Sequence, residues 1–214
     1  IEELVNSLPK WRREEAKKFK RIQGQKENAM AYDLLRKMLG YEPNFEYGSH
    51  GKPYSNKSEK CFNIAHCKNA IGVIIGDKEV GIDVECMGRY KPALAEYAMS
   101  EAELKEIEEG GDRTFTVLWT KKEALLKLTG EGIVDDLKNV LTSERMKNVK
   151  IISGYDEEKQ YAWSIAYTCS DDASSLPLYL SHHDTFHNFG VRIIKVTDWL
   201  VEQTEVEGLA QRPD

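Results

Sequence analysis

The chain has 214 residues, enough for one large domain or two small ones and enough to bury a core. Its 30 Lys and Arg against 36 Asp and Glu leave a formal net charge of −6, the wrong sign for a protein whose main business is coating nucleic acid. The longest near-continuous apolar stretch, Ala70 to Ile75, falls far short of the about 20 residues that span a bilayer. No charged-then-apolar leader opens the chain, and Cys61, Cys67, Cys86 and Cys169 form no CxxC pair. The expectation is a cytoplasmic globular protein with reduced thiols, its start at Ile1 rather than Met suggesting that an upstream piece was trimmed.

Residues 1–40 read as helical. Within them Met30, Leu34, Leu35 and Met38 recur at spacings of three and four and form one apolar stripe over Glu27 to Leu39, with Gly40 as a stop. Residues 41–60, rich in Gly, Pro, Ser and Asn, read as loop with short extended pieces. The period then changes. Phe62-Asn63-Ile64 and Ala70 to Ile75 read as strands, Gly76-Asp77-Lys78-Glu79 as a turn, and Val80 to Glu85 as the returning strand of a hairpin.

Residues 92–109 read as a helix in which Ser100-Glu101-Ala102-Glu103 resembles a capping box, broken by Gly110-Gly111. A further helix is expected over Thr114 to Leu128, ended by Gly130. Val149 to Ser153, Tyr161 to Thr168, Pro177 to Ser181 and Gly190 to Ile194 read as strands, and the last dozen residues as a loose tail. The order of helix, strands, helices and strands predicts an α+β fold of two similar-sized halves, residues 1–90 and 91–202, followed by a tail at 203–214.

Several familiar sites are excluded. Gly51-Lys52 is followed by Pro53 rather than Ser or Thr, and no GxGxxG, GxSxG or HExxH occurs. His182-His183-Asp184 with His187 is the only histidine cluster, and Gly, Ser and β-formers flank it, so a solvated strand-end turn is favoured over a metal site.

Asp83-x-Glu85 is more informative. On a strand the two carboxylates share one face while Ile82 and Val84 point the other way, into the core. Two carboxylates about 5 Å apart repel by roughly 3 kcal/mol at an effective dielectric near 20. Such a pair implies either an exposed edge screened by water or a bound cation.

Glu123 and Lys127 stand one turn apart in Trp119-Thr120-Lys121-Lys122-Glu123-Ala124-Leu125-Leu126-Lys127. This is either a surface ion pair worth about 0.3–0.5 kcal/mol or a carboxylate offered to a metal beside a lysine that meets an anion. Three hard oxygen ligands completed by phosphate oxygens suit Mg²⁺. His66, beside the Phe62-Asn63-Ile64 strand, and Lys52, in a loop stiffened by Pro53, are further anion-binding candidates; each alone is more often structural.

In this order, Gly51-Lys52-Pro53, Phe62-Asn63-Ile64-Ala65-His66, Gly81-Ile82-Asp83-Val84-Glu85 and Trp119-x-x-Lys122-Glu123-Ala124-x-x-Lys127 resemble the 4′-phosphopantetheinyl transferase superfamily, in particular its longer, surfactin-synthetase-activating type. Leu8-Pro9 with Arg12, and Leu34-Leu35-Arg36, resemble the family's opening helices, so the resemblance covers residues 8 to 130.

The resemblance implies a pseudo-twofold pair of α/β halves with coenzyme A in the cleft between them. It implies transfer of the phosphopantetheine arm of coenzyme A to a serine of an apo acyl or peptidyl carrier protein, leaving 3′,5′-ADP. By the same resemblance Asp83, Glu85 and Glu123 hold Mg²⁺ against the pyrophosphate, His66 and Lys127 contact its phosphates, and Lys52 and Arg12 lie near the nucleotide 3′-phosphate. A −6 protein repels an anionic ligand at long range, so Arg12, Lys52, Lys122, Lys127 and Mg²⁺ are expected to supply local positive charge.

The catalytic assignment is Glu123 taking the serine proton, Lys127 steadying the departing phosphate, and Asp83 in the metal site. Ala65 stands where the family often carries serine, and residues 24–28 lack the family's arginine-bearing pattern, with Lys26 as the substitute. A monomer serving lipid or secondary-metabolite biosynthesis, with no nucleic-acid or membrane partner, completes the expectation. The competing readings are a Mg²⁺-dependent phosphodiesterase or nucleotidyl transferase, and a non-enzymatic acidic interaction module.

Overall fold

The computed structural model describes residues 2–57, 59–132, 134–168, 185–186 and 189–195. Three helices open the chain: α1 (Glu2–Ser7), α2 (Lys10–Lys17) and α3 (Ile22–Leu39). A short ribbon follows, β1 (Glu46–Tyr47) with β2 (Pro53–Tyr54), and then the strands β3 (Cys61–His66), β4 (Ala70–Gly76) and β5 (Val80–Cys86). Next come α4 (Pro92–Ala98) and α5 (Glu101–Thr129), two short 3₁₀ turns at Leu137–Thr142 and Glu144–Met146, and the strands β6 (Val149–Asp156), β7 (Tyr161–Thr168), β8 (Thr185–Phe186) and β9 (Phe189–Lys195). Pro177 to Ser181, the histidine cluster at 182–187 and the tail at 203–214 lie outside the described residues apart from the backbone of β8.

The molecule is a mixed helix-and-sheet fold, as the element order predicts. Among the described residues one antiparallel sheet runs β3-β4-β9-β8 and another β5-β7-β6. Each therefore joins strands from both sides of residue 90. No helix among the described residues is long and apolar enough to cross a membrane.

The layers follow from strand alternation. Ile71 and Val73 of β4, with Phe62, take the apolar stripe of α3 (Met30, Ala31, Leu34, Leu35) on one face. Ala70 and Ile74 turn the other way, into a core shared with Val80, Ile82 and Val84 of β5 and Ile165 of β7. The far face of the second sheet is covered by α5, whose Ala124 and Leu128 pack on Ala166. The order through the molecule is α3, first sheet, second sheet, α5.

The hairpin expected between β4 and β5 does not form. Both edges of β4 are occupied, by β3 (Phe62 opposite Ile75) and by β9 (Val73 opposite Arg192), while β5 bonds to β7 with Asp83 opposite Ser164. After the 77–79 turn the chain crosses into the second layer. Gly72 makes that stacking possible: a Cβ there would stand 2.7 Å from Ile82 Cδ1 and 2.8 Å from Val84 Cγ2.

The longest helix bends at Gly111, whose backbone is non-helical (φ 65°, ψ −149°), so the expected break is a kink between two helical segments. Its N-terminus carries the capping box as read: the Glu103 N–H donates to Ser100 Oγ at 3.3 Å and the Ser100 N–H to Glu103 Oε2 at 2.7 Å. Gly40 and Gly130, both left-handed, end α3 and α5. Inside the interface the Thr120, Ser164 and Ser153 hydroxyls form a chain with spacings of 2.8 and 2.7 Å, tying α5 to β7 and β6.

Candidate functional site

The site begins with a missing side chain. A Cβ on Gly81 would stand 2.1 Å from the Ala124 carbonyl oxygen and 2.5 Å from the Leu128 nitrogen, so the backbone of α5 lies directly on β5. Glycine in the strand and alanine in the helix are the pair of residues that permit this approach. Glu123 and Lys127 flank Ala124 on the helix and are thereby carried beside Asp83 and Glu85, two and four residues along the strand from Gly81.

Asp83 is 5 % exposed although β5 is an edge strand, because α5 covers it. The solvated-edge reading of Asp83 therefore fails. Lys127 Nζ donates to Asp83 Oδ1 at 2.6 Å, while Oδ2 is buried without a hydrogen-bond partner. Lys127 thus pairs across to the strand rather than with Glu123 along the helix. Arg89 forms an ion pair with Glu85.

Burial, and after it the charges of Asp83 and Glu85, push the Glu123 carboxyl above its ordinary range, with Lys127 and Arg89 pulling the other way. Burial likewise raises Glu85; the Arg89 hydrogen bond opposes this and the Asp83 charge adds to it. The three acids share one electrostatic neighbourhood. Among the described residues, however, no group of three or more His, Cys, Asp or Glu side chains is arranged to hold a metal ion. The expected Asp83–Glu85–Glu123 cage is not closed in this arrangement, where Lys127 and Arg89 supply the counter-charge.

A cleft of about 310 Å³ opens beside these groups, lined among others by Gly51, Lys52, Asn63, Glu123, Lys127 and Gly130. Lys52 reaches it from the 48–52 turn and donates to the Leu128 carbonyl in the last turn of α5 at 2.9 Å while forming an ion pair with Glu79. That places a cation at the negative end of the helix. His66, at the end of β3, is not among the residues lining the cleft and meets Glu27 across 3.2 Å. Burial draws its imidazole below the ordinary range despite the Glu27 charge.

Two of the expected phosphate contacts sit elsewhere. Lys122 is 1 % exposed and gives its three protons to Glu103 (2.9 Å), the Leu137 carbonyl (2.9 Å) and the Lys138 carbonyl (3.3 Å). It fastens the 3₁₀ turn to α5, and the expected ligand contact is corrected to this structural role. Arg12, 5 % exposed, lies over the rings of Tyr32 (5.1 Å), Phe45 (5.2 Å) and Trp11 (6.0 Å) and donates to the Asn28 carbonyl at 3.2 Å. It does not line the cleft.

Asn63, unassigned from sequence, is buried and accepts the Ile82 N–H on its Oδ1 at 3.0 Å, pinning β5 against β3 beside the cleft. Asn63→Leu leaves that donor unpaired and is expected to cost about 1–3 kcal/mol in denaturant unfolding; an unchanged midpoint would show that the contact contributes nothing. The signal in the sequence was a lone amide inside an otherwise apolar strand.

Residues 79–175, which contain both Asp83-x-Glu85 and the Glu123–Lys127 turn, match the family model of the 4′-phosphopantetheinyl transferase superfamily. Over that stretch the chain is similar to the superfamily. The match runs on through β6 and β7, beyond residue 130 where the motif resemblance ends.

Among relatives, the chain is 34 % identical over 94 residues to the 4′-phosphopantetheinyl transferase psf-1 of Bacillus pumilus, covering 42 % of this chain and 40 % of that protein. It is 30 % identical over 155 residues to the 4′-phosphopantetheinyl transferase HetI of Nostoc sp., covering 65 % and 62 %. It is 32 % identical over 156 residues to slr0495 of Synechocystis sp., whose name carries the same activity provisionally, covering 66 % and 63 %. The matched stretch thus spans less than two thirds of each of these relatives.

Proposed function

We propose that this protein transfers the 4′-phosphopantetheine arm of coenzyme A to a serine hydroxyl of an apo acyl or peptidyl carrier protein, releasing 3′,5′-ADP in a Mg²⁺-dependent reaction. The observation that carries the reading is the junction of the two family motifs: Gly81 admits the α5 backbone and so sets Lys127 on Asp83 with Glu123 in the same field, beside a cleft. The match of residues 79–175 to the superfamily's model and relatives bearing that activity in their names support it. The reading includes the two pseudo-symmetric halves, 1–90 and 91–202, and a monomeric cytoplasmic protein.

The side chains suit a hard divalent cation. Asp83 Oδ2 is a buried acceptor without a partner, and the Glu85 and Glu123 carboxyls are destabilised as anions by burial and by one another. Asp83, Glu85 and Glu123 would hold the ion, which when bound neutralises charge on the pyrophosphate.

The protein's own groups do the rest. Phosphoryl transfer asks mainly for positioning and charge stabilisation. Glu123 lines the cleft, and its raised carboxyl makes it a stronger base once ionised, suited to accept the serine proton. Lys127, half-exposed at the cleft and held by Asp83, steadies the oxygen of the departing 3′,5′-ADP phosphate. Lys52 and His66 contribute at the anionic ligand, and Arg12 stiffens the helical face behind them.

Incubation with Mg²⁺, coenzyme A and a panel of apo carrier proteins is expected to give carriers heavier by one phosphopantetheine, and chelation of the metal to stop the gain. Coenzyme A at a hundred times its dissociation constant should also add about 2.7 kcal/mol to stability. Unmodified carriers across the panel would overturn the proposal.

A further inference from the structure

Glu27 belongs to none of the motifs that define the site, yet it meets His66, one of the expected phosphate contacts. It lies on α3, is 9 % exposed, and has both carboxylate oxygens engaged: Gln23 Nε2 donates to Oε1 at 2.8 Å, and Oε2 faces His66 Nδ1 at 3.2 Å. A buried carboxylate is costly unless it is paired, and the group paired with it is His66, the last residue of β3. We infer that Glu27 is a positioning residue that aims the His66 ring and equips it to receive the proton with which it grips an anionic group of the phosphopantetheine donor. This deepens the transferase reading and rests on it.

The argument starts from the two ring nitrogens. With Nδ1–H directed at Glu27, Nε2 is an acceptor in the neutral ring and a donor only in the imidazolium. A neutral His66 therefore turns a lone pair, not a proton, toward a phosphate oxygen.

The charged groups that bear on the ring come from three elements: Glu27 of α3 favours the imidazolium, while Lys127 of α5 and Arg12 of α2 oppose it, and burial opposes it most. In the free protein the balance lies with the neutral ring. A phosphate arriving beside Lys127 offsets the opposing cations and reverses that balance. The ring then takes one proton from solvent and donates from both nitrogens, Nδ1–H to Glu27 and Nε2–H to the phosphate, and returns the proton when the product leaves. Donor binding is thus linked to proton uptake, and Glu27 acts through His66 without touching the donor.

The test uses the full chain and Glu27→Gln, which retains an acceptor for Nδ1–H but removes the charge. The imidazole titration of His66 is followed by NMR with and without coenzyme A, its signal assigned among the five histidines with His66→Gln. Transfer kinetics are measured over about pH 6 to 9.

In the wild type, coenzyme A is expected to move the His66 midpoint upward, and KM for coenzyme A to increase as pH passes above it. In Glu27→Gln the midpoint falls, and KM at neutral pH increases about five-fold with the loss falling on KM rather than kcat. An unaltered His66 titration in the variant, a midpoint indifferent to coenzyme A, or a loss confined to kcat would each overturn the inference. A wild type that transfers nothing while coenzyme A still raises the His66 midpoint would remove the transferase reading and leave the Glu27–His66 device supported.

Discussion

Glu123→Gln is expected to abolish carrier modification and to raise the melting temperature. Loss of a positioned base costs about 10²–10⁴ in rate, and glutamine occupies the same volume without accepting a proton. The stability effect follows from the direction of the shift. Burial first, then the charges of Asp83 and Glu85, hold the Glu123 carboxyl above the ordinary value of 4.5. Between that value and its folded value the native state binds more protons than the unfolded chain, so stability is highest below this window and is lost as pH rises through it.

At neutral pH the charge on Glu123 is a net cost of the site, and the amide removes it. Wild-type stability should decline as pH climbs from 4.5 through the raised value, and the Gln variant should decline less. Turnover within about ten-fold of wild type would take Glu123 out of the chemistry. A lower melting temperature would mean that the carboxylate makes a favourable contact.

Gly81→Ala is expected to damage fold and activity together. The added methyl would meet the Ala124 carbonyl at 2.1 Å and the Leu128 nitrogen at 2.5 Å, both backbone atoms of α5 that cannot rotate aside. Relief requires the helix to lift from the strand. Overpacking of this kind costs about 1–3 kcal/mol and sometimes more, and a displacement of about 1 Å at the reacting groups costs about 10²-fold in rate.

The lift separates Lys127 from Asp83, now 2.6 Å apart, so the remaining folded protein should transfer poorly even under stabilising conditions. Denaturant unfolding and single-turnover transfer measure the two effects separately. A variant with wild-type stability would show that the helix is not pressed against β5.

Helices, caps and most strands were legible because each depends on neighbours within a few residues. The apolar stripe of α3, the Ser100–Glu103 box, and Gly40 and Gly130 as stops are local signals that appear in the fold as read. The returning hairpin was misread because alternation along Val80 to Glu85 indicates a strand but not its partner. That partner, β7, lies some 80 residues later, and β9 closes the other edge of β4.

Lys122 and Lys127 illustrate the same division on a finer scale. Both belong to the Trp-x-x-Lys-Glu-Ala-x-x-Lys block. Lys127 follows Glu123 by four residues and shares its face, whereas Lys122 precedes it by one and points about 100° away. Helical phase separated them in principle. Only the packed 3₁₀ turn shows that the second direction is interior, where Glu103 and two carbonyls receive Lys122.

By itself the sequence determined the element types, the likeness of two acidic motifs to those of one family, and the presence of acids and bases suited to phosphoryl chemistry. These follow from residue identity and short spacing, which the chain carries wherever it folds. The tertiary structure alone decided that Asp83 is buried, that Lys127 rather than Lys122 neutralises it, and that Glu27 stands behind His66. Burial and ion pairing depend on which distant backbone comes close, and here the contact of α5 with Gly81 brings the charges together.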